Sequence, residues 1–200
     1  MNVYNEEELE GIKLSSYCKG DGELIIFYEG TISASFMQYI VNELNQYETI
    51  SGFSLVLTSP GGDVSYIKAF YPFAKAFGLK SIYGIGTIAS AALSLLLDCK
   101  RRGIPVYMDE FCHVVLHRCM VTQIPEERPD RITVFNHDLV EQICSLFDEI
   151  NIGLLRKLDI KYKKDYKEGR DVYLIGTFFL EKKIFSEIDT KKLCNKSLKK

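Results

Sequence analysis

The chain has six cysteines but no C-x-x-C pair: Cys18, Cys99, Cys112, Cys119, Cys144 and Cys194 are scattered, without the spacing of a dithiol redox motif or a zinc knuckle. No secretory leader precedes the first charged residues, so the sequence predicts a reduced, cytoplasmic protein. Long apolar runs are missing too. Residues 84–97 are apolar and uncharged, but they are too few and too glycine-rich at their start to span a bilayer, so no membrane association is expected. Charge of one sign is absent: 25 basic against 27 acidic residues give a net charge of −2. With no interleaving of arginine and aromatic residues, that balance argues against a nucleic-acid surface. The basic runs at 161–167 and 191–200 read as solvated surface and a tail. Nor is there a G-x-x-x-x-G-K-[ST] loop to hold phosphates, and no cofactor is expected. Histidine is scarce, which shortens the list of bases to His113, His117 and His137.

What is present suits one α/β domain. The chain has 200 residues, 46% of them hydrophobic, enough to bury a core without staples. Short β-branched runs at 24–28, 53–58, 80–83 and 106–108 alternate with helical periodicity at 32–44, 64–77 and 89–99, which predicts a largely parallel sheet covered by helices. From Pro129 to about Leu158 a long helix is expected, with Ile132, Phe135, Leu139, Ile143, Leu146, Phe147, Ile150 and Leu154 on one face. The apolar faces of 64–77 and 131–158 exceed what one small domain buries, so a homo-oligomer is expected.

Two islands carry the chemistry. Residues 57–62 read L-T-S-P-G-G, a strand stopped by a tight turn whose glycines free backbone amides to face a developing negative charge. Residues 86–92 read G-T-I-A-S-A-A, with Gly84 and Gly86 expected in a loop and Ser90 at the mouth of a helix, beside unpaired amides and the positive dipole end. A serine there is ordinarily an N-cap. A third run, 111–120 (F-C-H-V-V-L-H-R-C-M), suits a strand in which His113, Val115, His117 and Cys119 share a face. His117 lies at its end, where strands deliver residues to sites, whereas His113 is expected against the core; His137 has mixed polar neighbours and is a poor base. Period-two alternation puts Cys112 and Cys119 on opposite faces, so no metal site is expected. Asp171 follows in G-R-D-V-Y-L-I (169–175). A serine hydroxyl needs an imidazole to take its proton, and the imidazole needs a carboxylate to orient it. The order Ser90, His117, Asp171 supplies all three, with Asp98 and Asp109 as alternatives that spacing alone leaves open.

The segments S-P-G-G-D-V (59–64), G-T-I-A-S-A-A (86–92), V-V-L-H (114–117) and R-D-V-Y-L-I-G (170–176) resemble, in order and spacing, the proteolytic subunit of the Clp protease; Ile188 and Asp189 resemble that family's closing segment. The resemblance runs from about Glu23 to Asp189. It implies an N-terminal variable segment (1–22), a peptidase domain (23–190) with the α/β fold shared with crotonases, built of repeated ββα and βαβ units with a protruding long helix, and a basic tail (191–200). It further implies Ser90 as nucleophile, His117 as general base, Asp171 as its carboxylate, and the backbone N–H groups of Gly62 and Ala91 as the oxyanion hole. A heptameric ring, a peptide or unfolded-protein substrate and an AAA+ unfoldase partner would follow, since the chain has no nucleotide loop of its own. The chain also departs from the family pattern. Ala91 replaces a methionine, Arg118-Cys119 replaces Gln-Pro, residues 121–128 replace a glycine-rich substrate-binding strand, and Gly169 stands where an aspartate often supports ring-to-ring contact. The expected activity is a serine endopeptidase working through an acyl-enzyme. Its rivals are a catalytically degenerate assembly or binding subunit and a crotonase-like acyl-CoA enzyme.

Overall fold

The computed structural model describes residues 13–119, 137–189, 191 and 193. The β-branched runs form strands as expected. β1 (Lys13–Cys18), β2 (Glu23–Glu29), β3 (Gly52–Ser59), β4 (Leu79–Ala89) and β5 (Val106–Met108) lie side by side in that order, with β8 (Ser186–Glu187) at the far edge. β1 is antiparallel to β2, and the pairs from β2 to β8 are parallel. β6 (His113–Leu116) and β7 (Val172–Ile175) branch from the sheet: β6 runs parallel to the last residues of β4, and β7 pairs antiparallel with β6. The protein is therefore α/β, with a mixed, largely parallel sheet of eight strands and, among the described residues, six helices.

α1 (Ala34–Leu44), α2 (Ser65–Ala76) and α3 (Ala91–Arg101) follow β2, β3 and β4. Their apolar positions, such as Phe36, Ile40, Ile67 and Phe70, pack on Leu24, Ile26, Leu55, Leu57 and Ile82 of the sheet. α4 (His137–Lys157) adds Phe147, Ile150 and Leu154 to the same core. The expected start of that helix at Pro129, with Ile132 and Phe135, lies outside the described residues. α5 (Ile160–Lys167) and α6 (Gly176–Glu181) flank β7. The opposite face of the sheet carries a smaller cluster of Ile25, Val56 and Tyr83, against which Tyr17, Tyr107, Ile188 and Leu193 pack. Among the described residues, no helix is long and apolar enough to cross a membrane.

One sequence expectation is corrected here. Gly84 and Gly86 are not loop: β4 continues through them to Ala89, so the strand reaches Ser90 directly. β1 lies inside 1–22, paired along its length with β2. The basic run at 161–167 is solvated, as expected: it forms the short helix α5, with Lys161, Lys164 and Lys167 exposed and Tyr166 buried.

The core is tightly aromatic at one point. Phe36 is fully buried, edge-on to Tyr28 with ring centroids 4.8 Å apart and stacked on Phe70 at 5.5 Å. Phe36→Ala removes both ring contacts and leaves a cavity, and is expected to cost about 3–5 kcal/mol in urea denaturation. A loss below about 1 kcal/mol would show that the α1 face carries little of the core energy.

Candidate active site

Ser90 occupies the turn between β4 and α3 with φ 51° and ψ −124°, one of two described non-glycine residues at positive φ. A β-carbon is strained there by roughly 1–3 kcal/mol. Its side chain makes no capping hydrogen bond to the helix. The ordinary role of a serine at a helix start is thus unfilled, and the backbone is bent sharply as strand hands over to helix. The bend is held from outside, because the Ser90 N–H donates to the Val115 carbonyl at 2.9 Å. Ala91 is the first residue of α3, so its N–H belongs to the unpaired first turn.

The two islands meet at this bend. Gly61 sits at φ 105°, and a Cβ on it would come within 2.6 Å of the Ser90 Cβ and 3.2 Å of the Ala91 nitrogen, so only glycine permits the approach. The turn is anchored on the segment before α1: the Ile32 N–H donates to the Gly61 carbonyl at 2.7 Å, and the Asp63 N–H to the Ile32 carbonyl at 2.8 Å. In this parallel bridge both bonds are made by Ile32, so the groups of Gly62 itself face away from it. Among the described residues, the Gly62 N–H donates to no backbone carbonyl, and Gly62 is exposed. The exposed Gly62 amide thus follows the glycine that meets Ser90, and the helix-start amide of Ala91 follows Ser90 itself.

The β6 and β7 registers bring up the other two candidates. Ala89 pairs with Val115, and Leu116 with Val172; one step further along the second ladder sets His117 opposite Asp171. Ser90, His117 and Asp171 therefore share one corner of the sheet. His117 Nδ1 lies 2.7 Å from the Arg118 carbonyl oxygen. A carbonyl only accepts, so Nδ1 carries a proton, and in the neutral ring the lone pair lies on Nε2. The partner of Nδ1 is thus Arg118 rather than Asp171. Asp171 is exposed, and its Oδ2 accepts from the Tyr173 hydroxyl at 3.3 Å. Neither rival carboxylate is placed to serve. Asp98 is buried between Arg101 and Arg102, each at 2.8 Å, and Asp109 accepts from the Phe111 N–H at 2.9 Å in its turn.

His113 is exposed, contrary to expectation, because the inward face of β6 is formed by Cys112, Val114 and Leu116. The side-chain environment of His137 lies outside the described residues. Among the described residues, no three His, Cys, Asp or Glu side chains converge as metal ligands.

Sequence reasoning missed a polar network behind the histidine. The Tyr166 hydroxyl donates to Asp148 Oδ1 at 2.5 Å, and Asp148 Oδ2 faces the Arg118 guanidinium at 3.9 Å. Burial, then the bond to Asp148, pushes the Tyr166 hydroxyl well above the ordinary phenol range. The signal lay in Arg118 itself, a charged residue directly after a strand-end histidine. No family model matches the chain, and no curated protein sequence matches it significantly.

The geometry at Ser90 separates a strained turn from a cap. Removing a capping side chain costs about 1 kcal/mol, whereas this side chain caps nothing. Ser90→Ala is therefore expected to leave urea stability within about 0.5 kcal/mol. Ser90→Gly is expected to stabilise by roughly 0.5–1 kcal/mol, since relief of positive φ outweighs the entropy glycine loses on folding. Destabilisation of both variants by 1 kcal/mol or more would restore the cap.

Proposed function

We propose that the protein is a serine-type peptidase of the Clp kind, hydrolysing peptide bonds of unfolded polypeptide through an acyl-enzyme on Ser90. The observation that carries this reading is the strained, non-capping Ser90, bent against Gly61 and flanked by the Gly62 and Ala91 amides. Positive φ at a serine between strand and helix is the geometry that exposes a nucleophilic hydroxyl beside an oxyanion hole.

In this reading the Ser90 Oγ attacks the scissile carbonyl carbon while His117 Nε2 takes its proton. The Gly62 and Ala91 N–H groups bind the oxyanion, and collapse expels the amine, which leaves with the proton from His117. Water, deprotonated by the same nitrogen, then releases the acyl group and restores the serine. Asp171 stabilises the imidazolium across the β6–β7 pair once the ring leaves the Arg118 carbonyl. Self-association on the helices singled out by the sequence is consistent with Phe77 at the end of α2 and Ile152 on α4, which are 40% and 47% exposed. A ring, by resemblance heptameric, and an AAA+ unfoldase partner belong to the same proposal.

One observation favours a second reading, a degenerate subunit that assembles or binds without cleaving: His117 Nδ1 is engaged by a backbone carbonyl and not by a carboxylate. A fluorophosphonate probe with intact-mass readout separates the two. One adduct, on Ser90 and lost in Ser90→Ala, is expected, together with hydrolysis of short fluorogenic peptides. His117→Ala is expected to lower that hydrolysis at least a thousandfold and Asp171→Asn somewhat less, because triad members act as a unit. Absence of any adduct at millimolar probe would leave the non-cleaving reading standing.

A further inference from the structure

Cys119 and Cys144 are far apart in sequence yet adjacent in the fold. The Cys119 thiol lies beside that of Cys144 on α4, close enough for each to feel the other's charge. A second contact independently lays the same stretch of chain along the same helix. Arg118, the neighbour of Cys119, reaches Asp148, which lies one helical turn beyond Cys144 on the same face. Both cysteines are free and partly buried. The other described cysteines differ: Cys99 and Cys112 are buried in the core, and Cys18 stands exposed on β1.

α4 is a firm anchor for such a pair. It is pinned to α3 by the bond from Ser94 Oγ to Asn151 Oδ1 at 3.0 Å and by the Arg101–Glu149 ion pair at 3.2 Å. Cys119 lies just beyond His117, whose imidazole is held by the carbonyl of the residue between them. Whatever ties Cys119 to α4 therefore restrains the main chain that orients the His117 ring.

We infer that Cys119 and Cys144 form a reversible disulfide, a thiol-modification site that restrains the His117-bearing segment against α4. The oxidant is a small disulfide of the glutathione class. The Cys144 thiolate attacks one of its sulfurs, forming a mixed disulfide and expelling one small thiolate, which takes up the Cys144 proton. Cys119, deprotonated in turn, attacks the Cys144 sulfur and expels the second small thiol. Two protein thiols lose two electrons and two protons, and two small thiols are formed. Burial, with neighbouring Cys144 as the next cause, pushes the Cys119 thiol up to about 12, which disfavours it as the first attacker. Cys119 is the resolving thiol, aided by its position beside the sulfur it attacks. That His117 is a general base rests on the peptidase reading; the disulfide does not.

The test treats the native full-length chain with oxidised glutathione, traps remaining thiols with N-ethylmaleimide, and maps peptides without reduction. The expected result is a Cys119–Cys144 cross-linked peptide at monomer mass, reversed by dithiothreitol, with Cys18 carrying glutathione. In Cys119→Ser, Cys144 is expected to stop at the mixed disulfide. Hydrogen exchange of the peptide carrying His117 is expected to slow at least threefold in the oxidised chain and not in that variant. Full alkylation of both cysteines under conditions that modify Cys18 overturns the proposal, as does glutathione on both without a bond between them. A cross-link without slowed exchange overturns the restraint. Neither readout involves Ser90, so the outcome is separate from that of the peptidase reading.

Discussion

The course of β4 is the constraint on which the candidate site depends. Its first half pairs with β5 and its last residues with β6, so one strand feeds two branches of the sheet. The changeover falls at Gly84–Gly86. There the Thr58 hydroxyl donates to the Ile85 carbonyl at 3.0 Å, and a Cβ on Gly86 would press on the Thr58 side chain at 3.2 Å. Absence of that Cβ lets β4 stay on β3 while it turns toward β6. Only because β4 reaches Ala89 in register with Val115 can the Val115 carbonyl take the Ser90 N–H and hold the positive-φ bend. A shift of one residue in the β4–β6 pairing would exchange the faces of both strands and carry Ser90 away from the Gly61 turn.

Electrostatics around the histidine follow a different rule. The Ser90 side of the site is built from backbone: amides, a carbonyl, and glycines that admit close approach. The His117 side is built from side chains that reach back to α4 and α5, through Arg118, Asp148 and Tyr166. The Arg118–Asp148 pair is half exposed on both sides and 3.9 Å long, so it orients more than it stabilises. The shorter, partly buried Tyr166–Asp148 bond fixes where that carboxylate points.

Much of this was legible in the sequence, for reasons that can be stated residue by residue. Period-two and helical apolar patterns marked β2, β3, α1, α2 and the latter part of α4, because burial on one face imposes those periods directly. The S-P-G-G turn and the serine after a glycine run marked the two islands, because few residue types tolerate such backbones. Less accessible was whatever depends on a partner distant in sequence. Gly84 and Gly86 read as loop, since glycine is locally a breaker, and only the neighbouring Thr58 and the double pairing of β4 make them strand. β1 has mixed polarity and is fixed by pairing with β2 rather than by its own composition. The exposure of His113 turned on which face of β6 meets the core, a choice alternation leaves open. The nearness of Cys119 to Cys144 has no sequence signal.

The two halves of the site also differ in how firmly they are held. α3, which starts at Ser90, is buried nearly all round, and the two polar residues on its buried side, Ser94 and Asp98, are both satisfied. Ser94 is bonded to Asn151, and Asp98 is bonded to Arg101 and Arg102, of which Arg101 continues to Glu149 on α4. A helix so enclosed cannot rotate or slide without opening its bonds to Asn151 and Glu149, and the amide of Ala91 is fixed with it. Past Leu116, by contrast, the ladder ends, and His117 is only half-buried, with a bond to its own neighbour's carbonyl. The Ser90 bend and the amide beside it are therefore held by the fold, whereas the orientation of the His117 ring is decided by a few contacts at the end of β6.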